Sequence, residues 1–98
     1  MMNKKLRGSQ VDRFLEAILS LKTKEEARKY LEDVCTVNEI LTLAQRHAVA
    51  EMLRRGVTYV EITEKTGAST ATISRVNRSL SLGGEGYDIV LSRLSEGK

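Results

Sequence analysis

Apolar positions along this chain recur at steps of three and four, the period of helices that bury one face. Val11, Phe14, Leu15, Ile18 and Leu19 form one wide stripe and predict a first helix over residues 9–21, with Ser9 and Asp12 as its capping pair. Ala27, Tyr30, Leu31 and Val34 form the apolar face of a second helix, which a Thr23/Glu26 capping box opens. Thr36 and Glu39 repeat that device between the flanking apolar residues Cys35 and Ile40. They open the longest helix, about 37–55, which Gly56 terminates. Its expected core face is Ile40, Leu41, Ala44, Ala48, Met52 and Leu53. Proline is absent and alternating β-branched runs are missing, so helices are expected throughout and strands are not.

The stretch 58–80, TYVEITEKTGASTATISRVNRSL, has a different texture: two short helical patterns either side of one glycine. Thr58 with Glu61 predicts a capping box, and Val57 with Ile62 the accompanying hydrophobic staple. Gly67 ends this helix in the left-handed conformation that glycine reaches cheaply. Ser69 and Thr70 start the next. Ile62, Thr66, Ala68, Ile73 and Val76 fall at spacings that point inward when two helices cross over a tight turn, the helix-turn-helix arrangement.

Beyond it, Gly83, Gly84 and Gly86 read as a flexible link. Tyr87, Val90, Leu91 and Leu94 then share one face of a last short helix ending near Ser95. The reading is therefore all-α: about six helices with a central helix-turn-helix. Residues 1–8 are expected to form a flexible basic arm, and 9–98 a single domain. The first, second and last helices carry more apolar stripe than so small a core uses, which points to shared burial across a two-fold dimer.

Charge sharpens the picture through its distribution. The net charge of +3 is mild. Between Leu43 and Leu82, however, Arg46, Arg54, Arg55, Lys65, Arg75 and Arg78 stand against Glu51, Glu61 and Glu64, whereas the stretch from Lys22 to Glu39 is balanced or acidic. Arg54 and Arg55 have two readings: complementing the helix dipole, or contacting phosphate. Cys35 and His47, the lone cysteine and histidine, suit neither a disulfide nor a zinc site, and no nucleophile-base pair is in view. Neither an enzyme nor a cofactor is expected. No apolar run reaches a membrane span and the start is no signal peptide, so the expected location is cytoplasmic.

The outward face of the second helix carries the functional signal. Ser69, Thr70, Ala71, Ser74, Arg75 and Arg78 are short hydroxyls, one methyl and two guanidiniums, with no carboxylate from Ala68 to Leu82. A helix entering the major groove needs small residues near its N-terminus, donors for bases and phosphates, and no negative charge. An ordinary solvated helix would carry mixed charges. With Thr58, Lys65 and Thr72, these residues form the candidate contact set for double-stranded DNA. The competing class is a helix-turn-helix that docks on the transcription machinery as a protein-interaction module.

Gly67-Ala68 followed by Ala71-Thr72-Ile73-Ser74-Arg75 resembles the recognition helix of bacterial tryptophan repressors. The chain as a whole is similar to the small tryptophan-repressor-like proteins of Gram-positive bacteria. The similarity covers about residues 9–95 and is strongest from Leu41 to Leu80. It implies an intertwined homodimer and a DNA-binding repressor. It also implies an effector pocket between the long third helix and the recognition helix. Thr36, Arg46 (where the family binds the ligand's carboxylate), Arg75 and Ser79 match its pieces. Arg75 thus has two readings, a base contact or a flank of that pocket. One piece departs: where tryptophan repressors have the glycine that forms a flat floor for the indole, this chain has Val76. A valine there occupies the space of the indole. The resemblance therefore implies either a closed pocket or a smaller carboxylate-bearing effector, and not tryptophan.

Overall fold

The computed structural model describes residues 7–96. These form six helices: α1 (Ser9–Leu19), α2 (Lys24–Val34), α3 (Val37–Arg54), α4 (Tyr59–Thr66), α5 (Thr70–Ser81) and α6 (Glu85–Glu96). No strand occurs among the described residues. Of the basic arm expected at 1–8, residues 1–6 lie outside the described residues. The chain divides into two compact units, Met1–Ile40 and Leu41–Lys98.

In the first unit, local hydrogen bonds decide where helices start. The Thr36/Glu39 box is complete: the Glu39 amide donates to Thr36 Oγ1 at 3.0 Å, and the Thr36 amide donates to Glu39 Oε1 at 2.8 Å. The Thr23/Glu26 box is displaced by one residue on its return arm. The Glu26 amide donates to Thr23 Oγ1, but Glu26 Oε1 accepts from the Lys22 amide at 2.8 Å. The start of α1 differs from expectation. Its cap is Gly8, with no side-chain bond, and the Asp12 amide returns to the Gly8 carbonyl at 3.0 Å. Ser9 is the first helical residue instead of the cap, because extended Gly8 (ψ 161°) makes the turn into the helix one position earlier.

Apolar packing in this unit is thin. Phe14 and Tyr30 meet with ring centroids 6.3 Å apart, within the range aromatic pairs prefer. Val11, Ala17, Leu21, Ala27 and Leu31 are half-buried, and Phe14, Leu15, Ile18 and Leu19 stay exposed. The α1 stripe is real, but it is only partly covered: Val11 is half-buried and Phe14 meets Tyr30, while Leu15, Ile18 and Leu19 stay exposed.

The second unit holds the buried cluster: Val49 and Ala50 from α3, Ile62 from α4, Ala68 from the turn, and Ile73 and Val76 from α5. Met52, Leu53, Val57, Leu80, Tyr87 and Leu91 pack around it. Met52 and Leu53 of the expected α3 face pack around this cluster, but its centre is Val49 and Ala50, which that stripe leaves out. Leu41 is 61% exposed and Ala44 is exposed, while Val49 and Ala50 are fully buried. α3 carries apolar residues on two sides. The pair α4–α5 packs only against its C-terminal half, so Val49, Ala50 and Leu53 face the cluster there.

The C-terminus of α3 closes as Gly56 predicts. With φ 79°, Gly56 lets its own amide bond the Leu53 carbonyl at 3.1 Å and the Val57 amide bond the Met52 carbonyl at 3.0 Å. The link after α5 is short, and Gly84 within it is closely packed. A Cβ on Gly84 would meet Leu80 Cα and the Ser79 carbonyl oxygen at 3.0 Å. Gly86 lies inside the first turn of α6, and the Asp88 amide bonds the Gly84 carbonyl at 2.9 Å.

Truncating the cluster should cost more than any surface change. Ile73→Ala is expected to destabilise the protein by about 2–5 kcal/mol in urea unfolding, through lost transfer energy and the cavity left behind. Leu82→Ala, at a position 77% exposed, should stay within about 0.5 kcal/mol. Similar losses at both positions would contradict this assignment of the core.

Candidate nucleic-acid interface

The helix-turn-helix is built by its caps and one glycine. Thr58 accepts from the Glu61 amide at 3.2 Å. The return arm of that predicted box is not made. The Glu61 carboxylate pairs with Lys65 one turn on, at 3.1 Å. Gly67 has φ 76° and its amide bonds the Thr63 carbonyl at 2.8 Å. Thr66 then ties the turn from within. Its hydroxyl donates to the Ile62 carbonyl at 2.7 Å and accepts from the Ala68 amide at 3.1 Å. Ser69 caps α5 by accepting from the Thr72 amide at 3.1 Å. Ile62, Ala68, Ile73 and Val76 are buried between the helices and Thr66 is half-buried, as their spacing indicates.

Sequence reasoning missed Gln45. From α3 its side-chain amide donates to the Thr66 carbonyl at 3.1 Å, satisfying a carbonyl that the end of α4 leaves without a helical partner. A polar residue between Ala44 and Arg46 gives no local hint of this, since its partner lies 21 positions away. Arg54 has a similar surprise. Neither dipole nor phosphate is needed to explain it, because its guanidinium pairs with Asp88 of α6. Arg55 is exposed beside it.

Ser69, Thr70, Ala71, Ser74, Arg75 and Arg78 are all exposed on α5, and Thr58 and Lys65 are exposed on α4. Thr72 is set apart. It is half-buried, and its hydroxyl accepts a 3.1 Å bond from the Ser69 hydroxyl. Among the described residues neither Arg75 nor Arg78 has a carboxylate partner, whereas Lys65 and Arg54 do. The exposed face of α5 is therefore cationic, free of carboxylates, and thinnest near its N-terminus, where the first residues are Thr70 and Ala71.

The residues of the expected effector pocket are placed as follows. Thr36 uses its hydroxyl in the α3 capping box. Arg46 is exposed on α3, and Arg75 and Ser79 are exposed on α5. Among the described residues no hydrogen bond joins Arg46 to Arg75 or Ser79. Val76, only 4% exposed, is one of the side chains that pack α5 onto α3 and α4. Cys35 is half-buried as a free thiol at the end of α2, and His47 lies 3.6 Å from Glu51 one turn on.

A family model described as Trp repressor protein matches residues 9–95. The chain belongs to the Trp repressor protein family. A relative from Bacillus subtilis (strain 168), bearing the name Uncharacterized protein YerC, is 53% identical over 92 residues, covering 94% of this chain and 88% of its own. The crystal structure of a TrpR-like protein from Eubacterium eligens ATCC 27750 superposes with a TM-score of 0.92 at 60% identity, over 95% of this chain and 96% of that one. A crystal structure of a Staphylococcus aureus protein gives a TM-score of 0.92 at 48% identity, over 97% and 95% of the two chains. Membership in the Trp repressor family, with a helix-turn-helix at the centre, supports a DNA-binding regulator. Among the described residues no helix is long and apolar enough to cross a membrane.

The turn yields a test of its own. A Cβ on Gly67 would meet only Gln45 Nε2, at an ordinary 3.9 Å, so the demand for glycine there is conformational and not steric. Gly67→Ala should cost about 1–2 kcal/mol in urea unfolding, the usual penalty of a left-handed L-residue. Gly67→Asn should recover part of it, because asparagine tolerates that region better. Equal losses for alanine and asparagine would show that space, not backbone conformation, sets the requirement.

Proposed function

We propose that this protein is a sequence-specific transcriptional repressor, a cytoplasmic two-fold homodimer whose residues 9–98 act as one DNA-binding domain. Each subunit places the helix spanning 69–80 in the major groove, the two engaging successive grooves on one side of the duplex. Ser69, Thr70, Ala71, Ser74, Arg75 and Arg78 face the groove, and Thr58 and Lys65 lie toward the backbone. Thr72 contributes through the cap it shares with Ser69. The observation that carries this reading is the outer face of α5, exposed from Ser69 to Arg78 and bearing two arginines with no carboxylate partner among the described residues. A helix that only docked on another protein would need an acidic partner surface to match so consistent a sign of charge. The uncovered stripes support the dimer: Phe14, Leu15 and Ile18 on α1, Leu41 on α3, and Val90 and Leu94 on α6 are all exposed in the single chain.

Selection of duplexes from a random pool, with purified full chain and no added ligand, tests the reading directly. Enriched duplexes should carry two related half-sites about one helical turn apart, roughly 34–36 Å centre to centre. Binding should weaken steeply with salt. No enrichment, with salt-insensitive capture of a polymerase component instead, would favour the protein-interaction module.

Tryptophan is not the co-repressor in this reading. The support is Val76, which is buried in the cluster that packs α5 onto α3 and α4, at the position where the resemblance puts the glycine floor for an indole. Extra bulk in a packed site costs roughly 1–3 kcal/mol, enough to abolish a modest affinity. Either DNA binding is ligand-independent, or a smaller carboxylate-bearing effector uses Arg46 with Thr36, Arg75 and Ser79. Calorimetric titration of the native chain with tryptophan should show no binding at micromolar concentrations, and Val76→Gly should gain measurable heat. Micromolar binding by the native chain would overturn the assignment of Val76.

A further inference from the structure

The exposed side of α5 resolves into a single ridge. Ala71, Arg75 and Arg78 are separated by four and then three residues, so they stack on one line of the helix. The core stripe of α5, Ile73, Val76 and Leu80, lies roughly opposite at about 100° per residue. The ridge thus points directly away from the cluster that fixes the helix. Its three side chains are exposed, and neither arginine is held by a carboxylate among the described residues. Lys65 and Arg54, the nearby cations at the ends of α4 and α3, are engaged by Glu61 and Asp88.

Resting on the DNA-binding reading above, we propose that this ridge divides the work of recognition among its three side chains. Ala71 packs on a thymine methyl, Arg75 bonds the edge of a guanine, and Arg78 grips a phosphate. The chemistry of each is specific: a small apolar group suits the thymine methyl, and a guanidinium suits the paired acceptors O6 and N7 of guanine. Position separates the two arginines. Four residues rise about 6 Å along a helix, so a helix entering the groove by its N-terminus holds Arg75 above Ala71 on the same line, and its long side chain reaches down to the same or the next base pairs. Ala71 and Arg75 therefore read positions within about two base pairs. Arg78 lies seven residues beyond Ala71, roughly 10 Å farther along the helix axis. The major groove is only about 8.5 Å deep, so a helix entering by its N-terminus carries Arg78 at the level of the sugar-phosphate backbone. The duplexes this protein prefers carry a thymine and a guanine within two base pairs in each half-site. Ser74 and Thr70 beside the ridge accept either base.

The test repeats the duplex selection with the native chain, Arg75→Ala and Arg78→Gln, then measures affinity for the native-selected duplex across a series of salt concentrations. All three substituted positions are exposed, and circular dichroism confirms that helix content is retained. Arg75→Ala should lose the guanine preference and weaken binding roughly ten- to a hundredfold. Arg78→Gln should select the same bases as the native chain, with a log–log salt slope shallower by about 1 per subunit. Replacing the selected thymine by uracil, which lacks the methyl, should weaken binding by the native chain several-fold and by Ala71→Gly much less. The division of labour is overturned if Arg78→Gln changes the selected bases or Arg75→Ala leaves them unchanged. If the native chain binds no duplex, the DNA-binding reading falls and takes this one with it. Native binding with the arginine roles exchanged sinks the ridge assignment alone.

Discussion

The architecture of the second unit depends on one packing contact, the insertion of Ile62, Ala68, Ile73 and Val76 against Val49 and Ala50. It is the only fully buried apolar cluster among the described residues, and it fixes three helices at once. Hydrophobic burial is non-directional, so on its own it would leave the crossing of α4 and α5 free. Direction comes from the polar bonds at its rim. Gly67 admits the reversal, Thr66 links the last turn of α4 to Ala68, and Gln45 holds the Thr66 carbonyl from α3. The outer face of α5 owes its aim to this arrangement. Val76 belongs to the same cluster, so it is one of the side chains that hold α5 in place.

What the sequence made legible was whatever is local. Caps at Thr23, Thr36, Thr58 and Ser69 all form, because a hydroxyl and an amide three residues on need nothing else to meet. The left-handed glycines at positions 56 and 67 were legible for the same reason. The inward set of the helix-turn-helix followed from spacing alone. The carboxylates that complete a capping box were less predictable. Glu61 and Glu26 each have a second suitable partner within a turn and take it, Lys65 in one case and the Lys22 amide in the other.

Where sequence reading failed, the deciding partner was distant. On α3 two apolar sides compete, and only the position of α4 and α5 shows that Val49 and Ala50 face inward while Leu41 does not. Gln45–Thr66 and Arg54–Asp88 join residues 21 and 34 positions apart, and no periodicity announces them. The glycine-rich stretch after α5 holds local structure that composition does not announce. Gly84 sits against Leu80 and Gly86 is absorbed into α6. The DNA-contact candidates were legible as a pattern of exposed residues without carboxylates. Thr72 could be separated from them only by the bond it accepts from Ser69.

The buried cluster also bears on how the chain acquires its shape. All six of its members lie between Val49 and Val76, joined by two short connections. Closing such small loops costs little chain entropy, and contacts this local place the unit among fast-folding helical topologies. Leu15, Ile18 and Leu19 on α1 and Leu41 on α3 are exposed in the single chain. In the proposed dimer their burial requires a second molecule and therefore depends on concentration. The segment that carries α4 and α5 can thus condense as a unimolecular event, while completion of the proposed dimer is a bimolecular one. On the proposed reading, a newly made subunit holds a formed helix-turn-helix before it meets a partner.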